Sequence, residues 1–289
     1  MKNSDINIRD PFVLQWEGKY YLYGTRGADT WGVGTGFDVY VGDDLENWSD
    51  PIPCFENDGT FWANLNYWAP EVHVWQGKFY MFASFKSETR SRGTQILVAD
   101  TPLGPFREHS DGPVTPNGWE CLDGTLYVSK TGVPYIVFCH EWTQTVDGEM
   151  CALQLTDDLK SAIGKPMFLF YATDADWIVP QKHRSGAKGY VTDGPFMWRT
   201  ESGRLLLLWA SFSAGGYTQG VAISSNDEID GKFTQLEPLF RDTGGHGMIF
   251  EKFDVSLCMT LHSPNETPDE RPFFYDIAEV GDRLTACDK

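Results

Sequence analysis

Five short segments of the chain each set a polar residue with chemical potential at the start of an apolar run. They are Asp10 in "RDPFV", Glu71 in "APEVHV", Asp123 in "LDGTLYV", Asp193 in "TDGPFMW" and His246 in "GGHGMIF". Carboxyl groups held close together can divide acid and base roles. One that is kept ionised takes a proton, and one raised by like charge or apolar surroundings holds a proton and gives it up. A histidine among them can donate hydrogen bonds, or bind a hard cation if waters complete the shell. Concentrating unpaired carboxylates is costly unless function or a cation requires it. These residues therefore matter chemically if the fold brings them to one place.

The elements available to do so are strands. Short apolar or alternating runs are separated by Gly, Asp, Asn and Pro turns, and no long stretch shows 3.6-residue apolar periodicity. One unit recurs. "RDPFVLQWEGKYYLYGT" is followed by "GFDVYVGDDLENW", "APEVHVWQGKFYMFASF" by "GTQILVADTPLGPF", and "CLDGTLYVSKTGVPYIVFCHEW" by "GEMCALQLTDDLKS". The fourth copy begins at "VTDGPFMW" and the fifth at "GGHGMIF". Five such copies, roughly 50 to 70 residues apart, predict an all-β fold, a five-bladed β-propeller occupying residues 1–289 as a single domain. Aligning the copies puts Asp10, Glu71, Asp123, Asp193 and His246 in one register, each at the start of its blade's first strand. The five would then ring one end of the central channel.

Composition narrows the partners. The chain has 289 residues and a net charge of −18, with 23 basic against 41 acidic residues. That balance repels nucleic acid and anionic membranes, and no apolar run is long enough to span a bilayer. The start "MKNSDINIRDP" contains no apolar leader. A cytoplasmic location is the expectation, or a secreted or periplasmic one if a leader has been removed. The six cysteines are scattered without a CxxC pair and are expected to be free thiols, mostly buried. Aromatic residues make up 15% of the chain, including 11 Trp. Trp31, Trp62, Trp68, Trp119 and Trp142 fall near the ring-forming strands, and Trp68 and Trp119 are the expected aromatic walls of a pocket there. Trp16, Trp75 and Trp198 are expected in the core between blades. Glu141, ending the strand "YIVFCHEW", could lean into the same funnel, as could Glu71.

The ordered set of motifs resembles family 43 of the glycoside hydrolases, five-bladed propellers that cleave arabinose- and xylose-containing glycans with inversion. The likeness runs from Arg9 to about Ile277. By that resemblance, Asp10 in "RDPFV" is the general base and "YWAPEVH" is the second-blade motif. Asp123 in "LDGTLYV" raises the pKa of the acid and holds it in place. His246 in "GGHGMIF" stands where the family often coordinates calcium or sodium in the channel, so a structural Ca2+ is an expectation and no organic cofactor is.

The fourth blade departs from the family pattern. Where the family has Glu-Gly-Pro with a glutamate acid, this chain has Asp193-Gly194-Pro195. Asp193 is the expected acid, with a reach one methylene shorter. Glu120 is the alternative, because "GWECLD" resembles the acid segment of the related invertase-like clan; Glu141 and Glu71 are further candidates. The implied activity is an inverting α-L-arabinofuranosidase or β-xylosidase acting on an oligosaccharide or polysaccharide, as a monomer or dimer. The other readings are a non-catalytic sugar-binding propeller and a retaining fructoside hydrolase of the invertase type.

Overall fold

Two-residue turns set the register of the first hairpins. Glu17-Gly18 and Gln76-Gly77 both take positive φ at each position. That is the type I′ geometry whose twist matches the flanking strands, with glycine at the second position. The computed structural model describes residues 1–183 and 186–287. In it, blade one holds β1 (Ile8–Trp16), β2 (Lys19–Arg26), β3 (Gly36–Gly42) and β4 (Ile52–Glu56). Blade two holds β5 (Leu65–Trp75), β6 (Lys78–Lys86), β7 (Gly93–Ala99) and β8 (Arg107–Pro113). Blade three holds β9 (Cys121–Val128), β10 (Pro134–His140), β11 (Glu149–Leu155) and β12 (Ala162–Tyr171). A small hairpin, β13 (Gln181–Lys182) with β14 (Lys188–Gly189), stands on the connection to the next blade. Blade four holds β15 (Asp193–Arg199), β16 (Leu205–Ser213), β17 (Gly216–Ser224) and β18 (Phe233–Gln235). Blade five holds β19 (Gly245–Glu251), β20 (Leu257–Ser263), β21 (Arg271–Val280) and β22 (Arg283–Ala286).

Each blade is a four-stranded antiparallel meander built from one continuous stretch of chain. The first strands close a ring: β1 packs against β5 and β19, β9 against β5 and β15, and β15 against β19. The fold is the five-bladed β-propeller that the repeat predicts. Apolar side chains fill the spaces between neighbouring blades. Phe37, Phe55, Tyr67 and Phe85 pack between blades one and two, Trp209 and Phe170 between three and four, and Leu208 and Ile249 between four and five. Trp16 and Trp198 pack against these clusters, and Trp75 against a further one that includes Phe82 of blade two and Phe138 of blade three. Of the six cysteines, Cys287 is exposed and the other five are buried; all six are free.

Blades one and five meet without sharing a strand, so side chains join them. Asn7 Nδ2 donates to the carbonyls of Pro268 and Glu270, and Arg271 Nε donates to the Ser4 carbonyl. A buried ion pair, Arg9 Nη1 to Glu270 Oε1 at 2.7 Å, lies on the same seam.

Every first strand carries a bulge near its start, and this corrects the register expected from the repeats. The pairing skips between Arg9 and Phe12, Trp68 and Glu71, Leu122 and Thr125, Asp193 and Phe196, and Gly245 and Met248. The first bulged residue has positive φ in all five: Asp10 (53°), Ala69 (47°), Asp123 (58°), Gly194 (50°) and His246 (55°). The residue after it is Pro11, Pro70, Gly124, Pro195 or Gly247. A bulge leaves one residue unpaired, so a proline, which has no N–H to give the ladder, is tolerated there. Glu71 therefore lies two residues past the ring position and Asp193 one residue before it. The ring itself holds two aspartates, one histidine, an alanine and a glycine.

Candidate active site

Left-handed backbone costs a non-glycine residue about 1–2 kcal/mol, and such strain gathers at functional sites when the surroundings impose it. Here the surroundings are the neighbouring blades. Thr25, at the end of β2, accepts the Ala69 N–H at Oγ1 (2.8 Å) and donates to Asp10 Oδ2 (2.6 Å). Ser84 Oγ on β6 accepts the Asp123 N–H (2.8 Å), and His262 Nδ1 on β20 accepts the Asp10 N–H (3.1 Å). The Gly194 N–H donates to Asp123 Oδ2 (3.1 Å). The bulges of blades one to four are thus held by side chains of the blade before them.

The bulges surround the floor of a cleft of about 810 Å³, lined from all five blades. His246 Nδ1 lies 3.1 Å from Asp10 Oδ1 and 3.7 Å from Asp123 Oδ2. Tyr217 OH donates to Asp193 Oδ2 at 3.1 Å. Burial alone would raise Asp10, but the charge and hydrogen bond of His246 and the charge of Arg9 outweigh it, holding the carboxylate far below its usual range. Burial dominates at the other two acids and is only partly opposed by His246. Asp123 is pushed up to about 7 with help from Asp193 and Asp10, and Asp193 to about 6 with help from Asp10. Burial disfavours a charged His246, yet Asp10 and Asp123 push it up to about 10, so it is an imidazolium at neutral pH. The floor therefore combines one firmly ionised carboxylate with two that hold protons easily.

Of the residues singled out in the sequence, Asp10, Asp123, Asp193, His246, Trp68 and Glu141 line the cleft. Glu71, Glu120 and Trp119 lie away from its lining. Glu71 is buried against His73 Nε2 at 3.0 Å, and Trp119 stacks on His140 with centroids 4.0 Å apart. Glu120 accepts from Lys86 Nζ at both oxygens and from the Arg92 N–H. Burial raises it, but these partners lower it further, which suits an ionised structural group better than a proton donor. Trp31 (57% exposed) and Trp142 also line the cleft, and Trp62 does not. Trp68 stands edge-on to Trp31 at 5.7 Å, with the Arg92 guanidinium over its ring at 4.1 Å. Arg92 in turn pairs with Glu141.

His246 Nδ1 faces two carboxylates, those of Asp10 and Asp123. Among the described residues, no group of three or more His, Cys, Asp or Glu is placed to hold a metal. The loop 174–190 contributes Gln181, Lys182 and His183 to the rim, and its residues 184–185 lie outside the described residues.

Arg92, Tyr217 and His262 were not singled out in the sequence. Arg9 stands in the register of Asp193, Trp68 and Leu122, all four on the cleft. His262 aligns with Thr25 and Ser84 at the ends of second strands ("YGT", "FAS", "TLH"), which is a signal the sequence does carry.

The family model for glycosyl hydrolases family 43 matches residues 5–273. The chain is 37% identical to the endo-arabinase of Bacteroides thetaiotaomicron VPI-5482 in its crystal structure, with a TM-score of 0.91 over 97% of this chain and 98% of that one. An endo-1,4-β-xylanase from the same organism is 26% identical, with a TM-score of 0.81 over 100% of this chain and 96% of that one. Among curated proteins, the extracellular endo-α-(1→5)-L-arabinanase 1 of Bacillus subtilis (strain 168) is 24% identical over 153 residues, 48% of this chain. The chain spans about 45% of the length of that relative.

Proposed function

Because the chain belongs to family 43 of the glycosyl hydrolases, we propose that it hydrolyses arabinan by inversion, with Asp10 as base and Asp193 as acid. The observation that carries the reading is the split in ionisation on one cleft floor. Asp10 is held as a carboxylate by His246 and Arg9, while burial raises Asp193 and Asp123. An inverting enzyme needs that pair: a base that activates water on one face of the sugar and a protonated acid at the leaving oxygen on the other. Strands β1 and β15 both pack against β19, which stands between them in the ring.

Asp123 supports the acid in two ways. It accepts the N–H of Gly194, the residue after Asp193, and it adds like charge. Two buried carboxyls near each other do not both ionise readily, so a proton stays on the pair.

Arabinan is favoured over xylan by the higher identity to the endo-arabinase, over nearly the whole of both chains. Internal cleavage is favoured by the cleft, whose volume of about 810 Å³ lies high in the range that holds drug-sized ligands. That gives room for more than one pentose.

The test is digestion of linear arabinan, with product sizes and the first-formed anomer followed by NMR. Early release of arabino-oligosaccharides of inverted configuration is the expected result. Arabinose as the sole early product would replace this reading with an exo-acting arabinofuranosidase. Retained configuration would point to the invertase-type mechanism, and binding without turnover to a sugar-binding propeller.

A further inference from the structure

His262 is fully buried and does not line the cleft, yet it touches the base directly. Its Nδ1 accepts the Asp10 N–H at 3.1 Å, and its Nε2 lies 3.1 Å from Asn265 Oδ1. An imidazole that accepts at Nδ1 must carry its proton on Nε2, so this pattern assigns the neutral tautomer. Burial and the nearby Arg9 charge push its pKa down to about 3, in agreement. The same ring stacks on Tyr217, with centroids 5.5 Å apart and planes 24° from parallel. The Tyr217 hydroxyl donates to Asp193 Oδ2.

A continuous bridge therefore runs from Asp10 through His262 and Tyr217 to Asp193, through blades one, five and four, with Tyr217 itself on the cleft lining. Blades one and two place Thr25 and Ser84 where blade five places His262 (opposite Arg9, Trp68 and Gly245 respectively), while blades three and four have Cys139 and Ala210. A hydroxyl there can hold a bulge N–H but cannot reach the third strand's tyrosine. A ring does both.

We propose that Tyr217, seated on His262, is a positioning residue that holds the Asp193 carboxyl at its working distance from Asp10. This rests on Asp193 being the acid. An aspartate acid carries its carboxyl on a side chain one methylene shorter than a glutamate, and proton transfer needs heavy atoms near 3 Å apart. A donor anchored to the base through a stacked ring fixes the carboxyl in place.

The hydroxyl also acts on ionisation. A phenol that donates to Asp193 favours its ionised form, so its loss raises the acid's pKa. The other groups facing Asp193 are His246 and Arg9, which oppose the burial that raises it, together with Asp10 and Asp123.

The decisive variant is Tyr217→Phe, which keeps the ring on His262 and removes only the hydroxyl. Activity is followed against pH on arabino-oligosaccharides and on an aryl arabinobioside with a good leaving group. The expected kcat loss is about 10- to 100-fold on the oligosaccharide, with KM unchanged. It should be several-fold smaller on the aryl substrate, which needs less help from an acid. The alkaline limb of the pH profile should move upward.

A variant that melts as wild type does, with an unmoved limb and equal losses on both substrates, overturns the proposal. A melting loss without the leaving-group difference does so too, since it assigns Tyr217 to packing. Asp193→Asn in parallel separates this from the reading beneath it. If Asp193→Asn keeps oligosaccharide activity within threefold of wild type, Asp193 is not the acid and both claims fall. If it is inactive while Tyr217→Phe is unaffected, the acid stands and the bridge does not.

Discussion

Asp10 and Asp123 occupy the same bulge position on strands two blades apart, and both face Nδ1 of the same histidine. They are nevertheless held in different states. Asp10 has Arg9 beside it and a hydroxyl donor in Thr25, so its charge is met on several sides. Asp123 has Asp193 and Asp10 as charged neighbours, the Gly194 N–H as donor and a longer approach to His246, and burial prevails. Position in the repeat sets where a carboxyl goes. The neighbouring blades set what it does. A ring of similar strands can in this way hold one carboxylate ionised and keep a proton on a pair of others.

Exchanging the carboxyl on each wall is the most direct way to break that contrast. Asp10→Asn is expected to lower kcat by about 10³- to 10⁴-fold on every substrate, because water then has no base. Asp193→Asn should cost about 10²- to 10³-fold on arabino-oligosaccharides and far less on an aryl arabinobioside whose leaving group departs unprotonated. Steady-state rates on the two substrate types check both. Equal leaving-group sensitivity in the two variants would erase the distinction between the walls.

His246 tests the origin of the contrast. His246→Gln removes the charge that lowers Asp10, so the Asp10 pKa should rise. The base is active when ionised, and the acid limb of the pH profile should therefore move upward, with kcat/KM falling off at a higher pH than in wild type. Melting curves give a second reading. The folded-state pKa of His246 is raised to about 10, so its contribution to stability is full below its ordinary value and is lost as pH rises through about 10. The Asp10 pKa is lowered, so its contribution is present above the usual carboxyl range and fades as pH falls. The gap in melting temperature between wild type and His246→Gln should be widest between those limits and shrink toward pH 10. A gap independent of pH would assign the histidine a packing role alone.

The repeat, the blades and three of the five floor residues were legible in the sequence, because strand, turn and Gly or Pro recur in step. The exact register was not. Aligned by the apolar runs, "APEVHV" offers Glu71, and "TDGPF" offers Asp193 as a ring member. Aligned by the Pro or Gly that follows each left-handed residue ("RDP", "WAP", "LDG", "DGP", "GHG"), the ring becomes Asp10, Ala69, Asp123, Gly194 and His246. Tyr217 and His262 were harder to find. For Tyr217 the importance arises from contacts between blades, which no local pattern encodes, and His262 is marked only by its alignment with Thr25 and Ser84 at the ends of second strands. Trp119 and Glu120 misled for the opposite reason: a motif with chemical promise is spent on stacking against His140 and pairing with Lys86.

The smallest expected effect tests the register itself. Glu71 is as buried as Asp123, at 7% against 6% exposed, and both stand on the first strand of a blade. The bulge separates them: Asp123 is the left-handed residue, whereas Glu71 lies beyond it, re-enters the ladder opposite Phe82 and turns to His73. Glu71→Gln keeps the size and can still hydrogen-bond to that imidazole. It should leave kcat and the pH profile on arabinan within about threefold of wild type, and lower the melting temperature by about a few degrees through a weakened buried contact. A loss of 10²-fold or more in kcat with melting unchanged would put Glu71 back among the acids of the cleft, and would make the alignment by apolar runs, not by bulges, the correct guide to the ring.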